Sequence, residues 1–292
     1  MKQKIITFIC LLPGIICLGQ QNNTDTIIPS QDSAVKPKTT LTMAAIYGNN
    51  TSYYGQKPFE ATPYAALAAN LRLPSGIYFT GTGYRLLKDS GSLLSAGSLG
   101  AGIEFKLSKK LTADISYSHT FYPTGTVFLQ AANNNLFSGT LTYGYWLSSS
   151  VTYDYAFGEE QDMFTSFNTT KSIKLGNLFS SKDGIEIAPA VEVVAGTQRY
   201  FKTYVTEKRI RDSIAGILLL PILGTGTTQT ETKTDTETKF NLLSYSVRLP
   251  VSYFRASYLI EAAYQLSFLS KKVVSAPGSS NSFFTLSFYY QL

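Results

Sequence analysis

From about Thr40 onward the chain alternates apolar and polar residues in stretch after stretch. The clearest run is Leu111–Phe121. Leu111, Ala113, Ile115, Tyr117 and Phe121 share one face; Thr112, Asp114, Ser116, Ser118 and Thr120 share the other. Successive side chains of a strand point to opposite sides, so a period of two predicts a β-strand with one apolar and one polar face. The pattern recurs. Leu99, Ala101, Ile103, Phe105 and Leu107 oppose Gly100, Gly102, Glu104 and Lys106. Leu141, Tyr143, Tyr145 and Leu147 oppose Thr140, Thr142 and Gly144. Val151, Tyr153, Tyr155 and Phe157 oppose Thr152, Asp154 and Ala156. Ile185, Ile187, Val191 and Val193 oppose Glu186, Ala188, Ala190 and Glu192. Tyr258, Ile260, Ala262, Tyr264, Leu266 and Phe268 oppose Glu261, Ala263, Gln265 and Ser267. Two further segments, Gly76–Leu87 and Met163–Leu175, alternate poorly.

The connections alternate as well. Short ones are expected near Leu73–Gly76, Ser108–Lys110, Ser148–Ser149, Gly176–Gly184 and Pro250–Arg255. Longer ones are expected near Gly48–Glu60, Lys88–Leu94, Tyr122–Asn135, Gly158–Asp162, Lys202–Thr238 and Ser270–Asn281. Short turns at one end and long loops at the other describe an all-β, transmembrane, antiparallel up-and-down β-barrel. The connections join twelve strands, with ten or fourteen as the neighbouring counts. Both termini then lie at the short-turn, periplasmic end.

Composition supports a barrel over a water-soluble domain. Only 15% of residues are charged while 13% are aromatic, with 20 Tyr and 18 Phe; a soluble domain carries about 25% charged residues. The formal net charge of +6 falls to about +4 without the two lysines of residues 1–19, too mild to argue for nucleic acid. At the N-terminus Lys2 and Lys4 precede an apolar stretch, Ile5–Leu18, with small residues before Gln20. This predicts a signal peptide over residues 1–19. Both cysteines, Cys10 and Cys17, fall inside it, which removes disulfides, thiol chemistry and Cys-based metal sites from the mature chain. Residues 20–38 read as a flexible periplasmic segment and residues 39–292 as the barrel.

The last stretch, Ser282–Leu292, places Phe284, Leu286, Phe288, Tyr290 and Leu292 on one face. This alternating aromatic strand resembles the C-terminal assembly signal of Gram-negative outer-membrane β-barrel proteins, although such signals usually end on Phe. The resemblance implies location in the outer membrane, with outer-membrane lipid and the barrel assembly machinery as partners. A last strand pairing with the first removes open edges, which lipid would penalise by several kcal/mol per unpaired group.

Candidate chemistry is sparse. The one histidine, His119, falls on the apolar, outward face. Some barrel lipases and deacylases carry His-x-Ser on one strand, but here His119-Thr120-Phe121 breaks that pattern and Ser118 points the other way. No cofactor or metal is indicated, because one His and no mature Cys leave a transition metal without its usual ligands. On this register Glu104, Lys106, Asp114, Asp154, Glu186, Glu192, Arg248 and Glu261 point inward, as candidates for a lumen network or a charge-selective constriction. Glu104 faces Asp114 across a turn with Lys106 close by, and Arg72 and Arg248 lie near the periplasmic rim. Small inward residues (Ala66, Ala68, Gly100, Gly102, Ala188, Ala190, Ala263) leave room for a narrow bore. Residues 202–238 read as an arm standing outside the membrane, whose apolar tip, Ile214–Leu223, follows the basic Lys208–Arg211. Three readings follow: a narrow pore for small polar or charged solutes, or a barrel with no transport role; a surface-binding barrel using the arm; and an outer-leaflet lipid-modifying enzyme.

Overall fold

A computed structural model describes residues 38–58, 61–88, 93–123, 128, 133–197, 240–270 and 280–292. The signal peptide, all but the last residue of the 20–38 segment, the 202–238 arm with its apolar tip, and most of the Ser270–Asn281 loop lie outside the described residues.

The alternating stretches form strands β1 (Thr40–Gly48), β2 (Tyr64–Arg72), β3 (Ile77–Leu86), β4 (Ala96–Lys106), β5 (Leu111–Phe121), β6 (Asn135–Gly144), β7 (Ser148–Phe157), β8 (Gln161–Thr170), β9 (Ile173–Gly176), β10 (Asp183–Ile187), β11 (Ala190–Thr197), β12 (Phe240–Arg255), β13 (Tyr258–Leu269) and β14 (Ser280–Gln291). Twelve of them close a ring: β1 to β8 in order, then β11 to β14, with β14 returning to β1. Every neighbouring pair is antiparallel. The closing strand pairs Thr42 with Gln291 through to Gly48 with Thr285, and the Leu292 N–H donates to the Leu41 carbonyl at 2.9 Å.

The two extra strands come from interruptions in long runs. Met163–Leu175, read as one poorly alternating segment, breaks after Thr170; Ile185–Val193 breaks at Ala188-Pro189. The cause is a pair of prolines. Pro250 accepts from the Ala188 N–H at 3.2 Å, so the side of Pro250 that lacks an N–H faces the neighbouring strand beside Pro189. Two missing donors at one level stop the ladder, and it resumes below as β10 paired with Val251–Arg255 of β12.

This corrects three expected connections. Pro250–Arg255 is not a turn but the lower third of β12, which turns only at 256–257. A proline in a strand is tolerated there because it faces the interruption. The Ser148–Ser149 turn sits instead at 145–147, closed by Tyr145 N–H to the Leu147 carbonyl at 2.8 Å. Gly158–Asp162 is not a longer loop but a tight turn at 158–160, with Gly158 N–H on the Glu160 carbonyl at 2.9 Å. A strand boundary within Ser-Ser-Ser or beside Gly-Glu-Glu has no apolar residue to mark it.

The outward row is apolar on every ring strand. Met43, Leu67, Phe79, Leu99, Ile115, Leu141, Val151, Phe167, Val191, Val247, Tyr264 and Leu286 all stand exposed, Leu67 to 70%. In water the largest apolar patch of a typical monomer covers about 300–600 Å². A belt that runs round the whole ring, with no open edge within it, belongs in lipid. Phe284, Leu286, Phe288, Tyr290 and Leu292 of the closing strand all lie on this outer face.

Inside, aromatic residues sit directly across from glycines. Tyr64 faces Gly48, Tyr78 faces Gly102, and Phe164 faces Gly196. A Cβ at these glycines would come within 2.3, 2.4 and 2.5 Å of the facing ring. The rings lie flat along the wall because the partner has no side chain.

Candidate functional site: the lumen and an inturned hairpin

The ring's interior has two unlike walls. On β4, β5 and β6 many inward residues are small, mostly hydroxyl-bearing and partly exposed: Ser98, Gly100, Gly102, Ser116, Ser118, Ser138, Thr140 and Thr142, with Ala96 and Thr120 buried at the outer end. Most inward residues of β7, β8 and β11 to β14 are buried, as are most of those on β1 to β3. Ser244 and Ser267 are wholly so.

Much of this sealing comes from the loop between β1 and β2, which turns inward from the long-loop end. Its stem is clipped by Thr51 N–H to Thr62 Oγ1 at 3.1 Å, by their two hydroxyls at 2.7 Å, and by Thr62 N–H to Asn50 Oδ1 at 2.9 Å. Its tip is a two-residue hairpin. Tyr53 and Gln56 exchange both backbone hydrogen bonds, at 2.9 and 3.0 Å. Tyr54 and Gly55 between them have φ of +49° and +83°, the left-handed pair of a type I′ turn. Gly55 suits that conformation; Tyr54 does not, at a cost of about 1 kcal/mol.

What holds Tyr54 there is the far wall. In the ring β7 stands opposite β1, so this loop crosses the lumen. Tyr54 stacks on Phe164 of β8, with centroids 4.0 Å apart and planes at 20°. Its hydroxyl donates to Asp154 Oδ2 of β7 at 2.7 Å, and Ser138 donates to the other oxygen of that carboxylate. Its carbonyl accepts from Ser244 Oγ at 2.7 Å, and the Gly55 carbonyl accepts from Asn281 Nδ2 at 3.0 Å. Tyr53 meets Phe164 edge-on at 5.5 Å. Together with Ala156, Val194 and Leu243 they form an apolar cluster inside the barrel. A second cluster joins Tyr64, Tyr84 and Leu86 to Phe128 of the β5–β6 loop.

Of the sequence-predicted lumen residues, Asp154, Glu186, Arg248 and Glu261 are buried, Glu104, Asp114 and Glu192 half-buried, and Lys106 exposed. Glu104 and Asp114 are direct cross-strand partners, yet each is satisfied from elsewhere. Arg72 Nη1 lies 2.9 Å from Glu104 Oε1, Tyr78 donates to Asp114 Oδ1 at 2.9 Å, and the Arg72 guanidinium lies over the Tyr78 ring at 5.4 Å. Lys106 stands exposed at the short-turn end and is no partner of this group in an ion pair or hydrogen bond. Arg72 is at the rim, as expected. Arg248 is not: because β12 continues to Arg255, it lies mid-strand, buried, with Nη2 2.8 Å from Glu261 Oε1. Glu192 is half-buried among Asn168 and Ser246. Glu186 faces Lys174 on the β9–β10 extension. The sequence reading did not single out Asp162, which takes Asn133 Nδ2 at 2.7 Å and the Thr197 hydroxyl. Nor did it single out Tyr53, Tyr54 or Phe164. The available signal was Tyr54-Gly55 in a loop stretch, Thr51–Gly55, with no charge to keep it in water.

His119 lies outward, with Nδ1 2.8 Å from Asn135 Oδ1 and its ring edge-on to Phe121 at 4.5 Å. Tyr117 donates to the same Asn135 oxygen at 2.7 Å. No serine shares a hydrogen bond with His119 among the described residues. No grouping of His, Cys, Asp and Glu fit for a metal occurs among the described residues either.

No protein-family model and no curated protein matches the chain. Among solved structures it is similar to a KdgM porin (8% identity, TM-score 0.44, covering 86% of this chain and 98% of that one). It is also similar to LpxR from Salmonella typhimurium (9%, 0.46, 85% and 99%) and to an outer-membrane channel from Pseudomonas putida F1 (10%, 0.41, 91% and 100%). At these identities and scores the likeness bears on none of the residues above.

Proposed function

We propose that the chain is an outer-membrane pore of narrow bore for small polar or charged solutes, narrowed on its outer side by the inturned hairpin. The short-turn end, with both ends of the barrel, faces the periplasm. The long loops face outward, and the apolar belt meets lipid. One observation carries this reading: the middle and short-turn part of the β4 to β6 wall keeps hydroxyl-bearing inward residues partly exposed, beside a hairpin anchored to the opposite wall by Tyr54 and Asp154. A barrel serving only as a membrane anchor has no need to keep one polar wall open while holding a tyrosine in a left-handed conformation. An eight-stranded ring is filled by its side chains, and sixteen strands leave a wide channel; twelve strands with an inserted loop leave a narrow one.

The test is single-channel recording of purified protein in planar bilayers. Wild type is expected to give small discrete currents. Replacing Tyr53 and Tyr54 together by glycine removes the stack and the Asp154 anchor, and should raise the unit conductance several-fold. Both proteins should shift in gel mobility on boiling, as folded barrels do. Absence of discrete currents from both, with that shift intact, sinks the reading.

A further inference from the structure

We propose that the outer face of β5 to β8, at its short-turn end, holds the headgroup of an anionic phospholipid of the periplasmic leaflet; this rests on the membrane orientation proposed above and not on conduction. The outward row is apolar along most of each ring strand, but on β7 and β8 it changes character near that end. The exposed pair Val151 and Phe167 is followed by Ser149 and Thr169, cross-strand partners whose hydroxyls lie 2.7 Å apart. Beyond them come Lys171 and the 145–147 turn. That turn presents Tyr145 and the chain's one tryptophan, Trp146, exposed to 67% and 64%.

Each of these two rings carries an ammonium group. Lys110 Nζ lies 4.7 Å from the centroid of the Tyr145 ring, and Lys171 Nζ 5.4 Å from that of Trp146. The three chain segments are tied together: the Lys110 carbonyl accepts from the Gly144 N–H at 2.8 Å, and the Lys171 ammonium donates to the Trp146 carbonyl. Lys109 stands exposed next to Lys110. Among the described residues no carboxylate forms an ion pair with Lys110 or Lys171. From mid-wall to rim the order is apolar belt, hydroxyl pair, amphipathic rings, ammonium groups. A phospholipid presents the matching order, from acyl chains through esters to phosphate. Tyrosine and tryptophan rings settle at this level of a bilayer, and lysines there attract anionic lipid. The ligand class is therefore a glycerophospholipid whose headgroup is net negative, such as phosphatidylglycerol.

Trp146, as the one tryptophan, is its own reporter. The test is quenching of its fluorescence in vesicles of equal parts phosphatidylglycerol and phosphatidylcholine, with either one or the other brominated on its acyl chains. Wild type is expected to be quenched several-fold more efficiently by brominated phosphatidylglycerol at low salt, and the excess should shrink in high salt. Lys110→Gln/Lys171→Gln should lose the excess, and Lys110→Arg/Lys171→Arg should keep it. Boiling-dependent gel mobility shows that the variants are folded, and Lys110→Gln alone decides if the glutamine pair does not fold. Glycerol phosphate added in solution should leave the excess unchanged, since a lipid and not a free phosphate occupies the site. Equal quenching by the two lipids, an excess that survives the glutamine substitutions, or one abolished by soluble glycerol phosphate overturns this inference and leaves the pore standing. No quenching by either lipid overturns it as well and removes these turns from the bilayer. None of these readouts depends on current, so a failure of the pore is seen separately.

Discussion

The β4–β6 wall and the wall running through β7, β8 and β11 to β14 are built on one strand pattern, yet they solve different problems. Both alternate an outward apolar row with an inward row rich in Ser, Thr and Gly. On β4–β6 most of those inward residues stay partly exposed, with Ala96 and Thr120 at the outer end buried. On the other wall residues of the same size, Ser166, Ser244, Ser246 and Ser267, are buried. The difference is made by what reaches across. Tyr53, Tyr54, Phe164 and Leu243 fill the space over the second wall, and a guanidinium and a carboxylate close it mid-barrel. Side-chain size on a strand therefore does not decide whether a barrel is open. The partner across the lumen does.

The sharpest way to separate the two walls is to break the same kind of ion pair in each. Arg248→Met leaves the Glu261 carboxylate buried and unmatched. Removing one partner of a buried pair costs about 3–5 kcal/mol, so the barrel should unfold at markedly lower urea in detergent or liposomes. Arg72→Met acts on a pair at the short-turn rim whose side chains keep somewhat more contact with solvent, so its loss should be the smaller of the two. Equal losses in the two variants would remove the distinction between the walls.

A size probe comes next. Ser267→Tyr forces a ring into space already occupied by Gly55 and Ser244, whose atoms are near contact there. Overpacking of this sort costs about 1–3 kcal/mol. Ser116→Tyr on the open wall should leave the unfolding midpoint nearly unchanged and cut the current instead. If Ser116→Tyr destabilises as much as Ser267→Tyr, the β4–β6 wall is packed and not open.

Smaller again is the loss of one hydroxyl. Tyr54→Phe keeps the stack on Phe164 but removes the donor to Asp154, a change of about 1 kcal/mol for a single hydrogen bond. The fold should survive, with more frequent switching between conductance levels. Steady currents identical to wild type would show that the hairpin is held by its stack and backbone contacts alone.

How much of this was legible in the sequence follows from what carries each signal. The outward row needs no partner to be recognised, because lipid rewards every large apolar residue alike; the period of two therefore marked most strands and their faces, and the connections between them supplied the count of twelve. The closing strand was visible for the same reason. Turns were less visible where strand ends are Ser or Gly, as at Ser148, or where a proline reads as a terminator, as at Pro250. Pro250 is explained only by Pro189, sixty-one positions away and one strand across. The hairpin was the least legible element. Tyr54 owes its placement to Asp154 and Phe164, and nothing local to residues 51–56 names them. The inward charges were placed on the right face, but their pairing was not: Glu104 with Arg72, and not with Lys106, depends on the register between β2, β3 and β4.

The smallest effect concerns how the sealed wall continues below its interruption. There β10 pairs with the lower part of β12, and Asp183 ties off the 177–182 turn. The Asp183 carboxylate accepts from the backbone N–H groups of Leu178 at 2.8 Å, Phe179 at 3.0 Å and Ser180 at 2.9 Å, and from the Tyr253 hydroxyl at 3.3 Å. Burial opposes its ionisation, but these donors outweigh it and hold its pKa below the usual carboxylate range. A depressed folded value means that the stabilisation is full above the ordinary carboxylate pKa and fades as pH falls through the folded one. Protection of the Leu178, Phe179 and Ser180 amides, taken relative to the intrinsic exchange rate at each pH, should therefore fall at low pH in wild type while the β4–β6 wall stays protected. In Asp183→Asn, the same three amides should be less protected at neutral pH, and their protection should show no further titration. If wild type and Asp183→Asn exchange alike across the range, Asp183 is not what ties the β9–β10 extension to the sealed wall, and the extension is held by its β12 ladder alone.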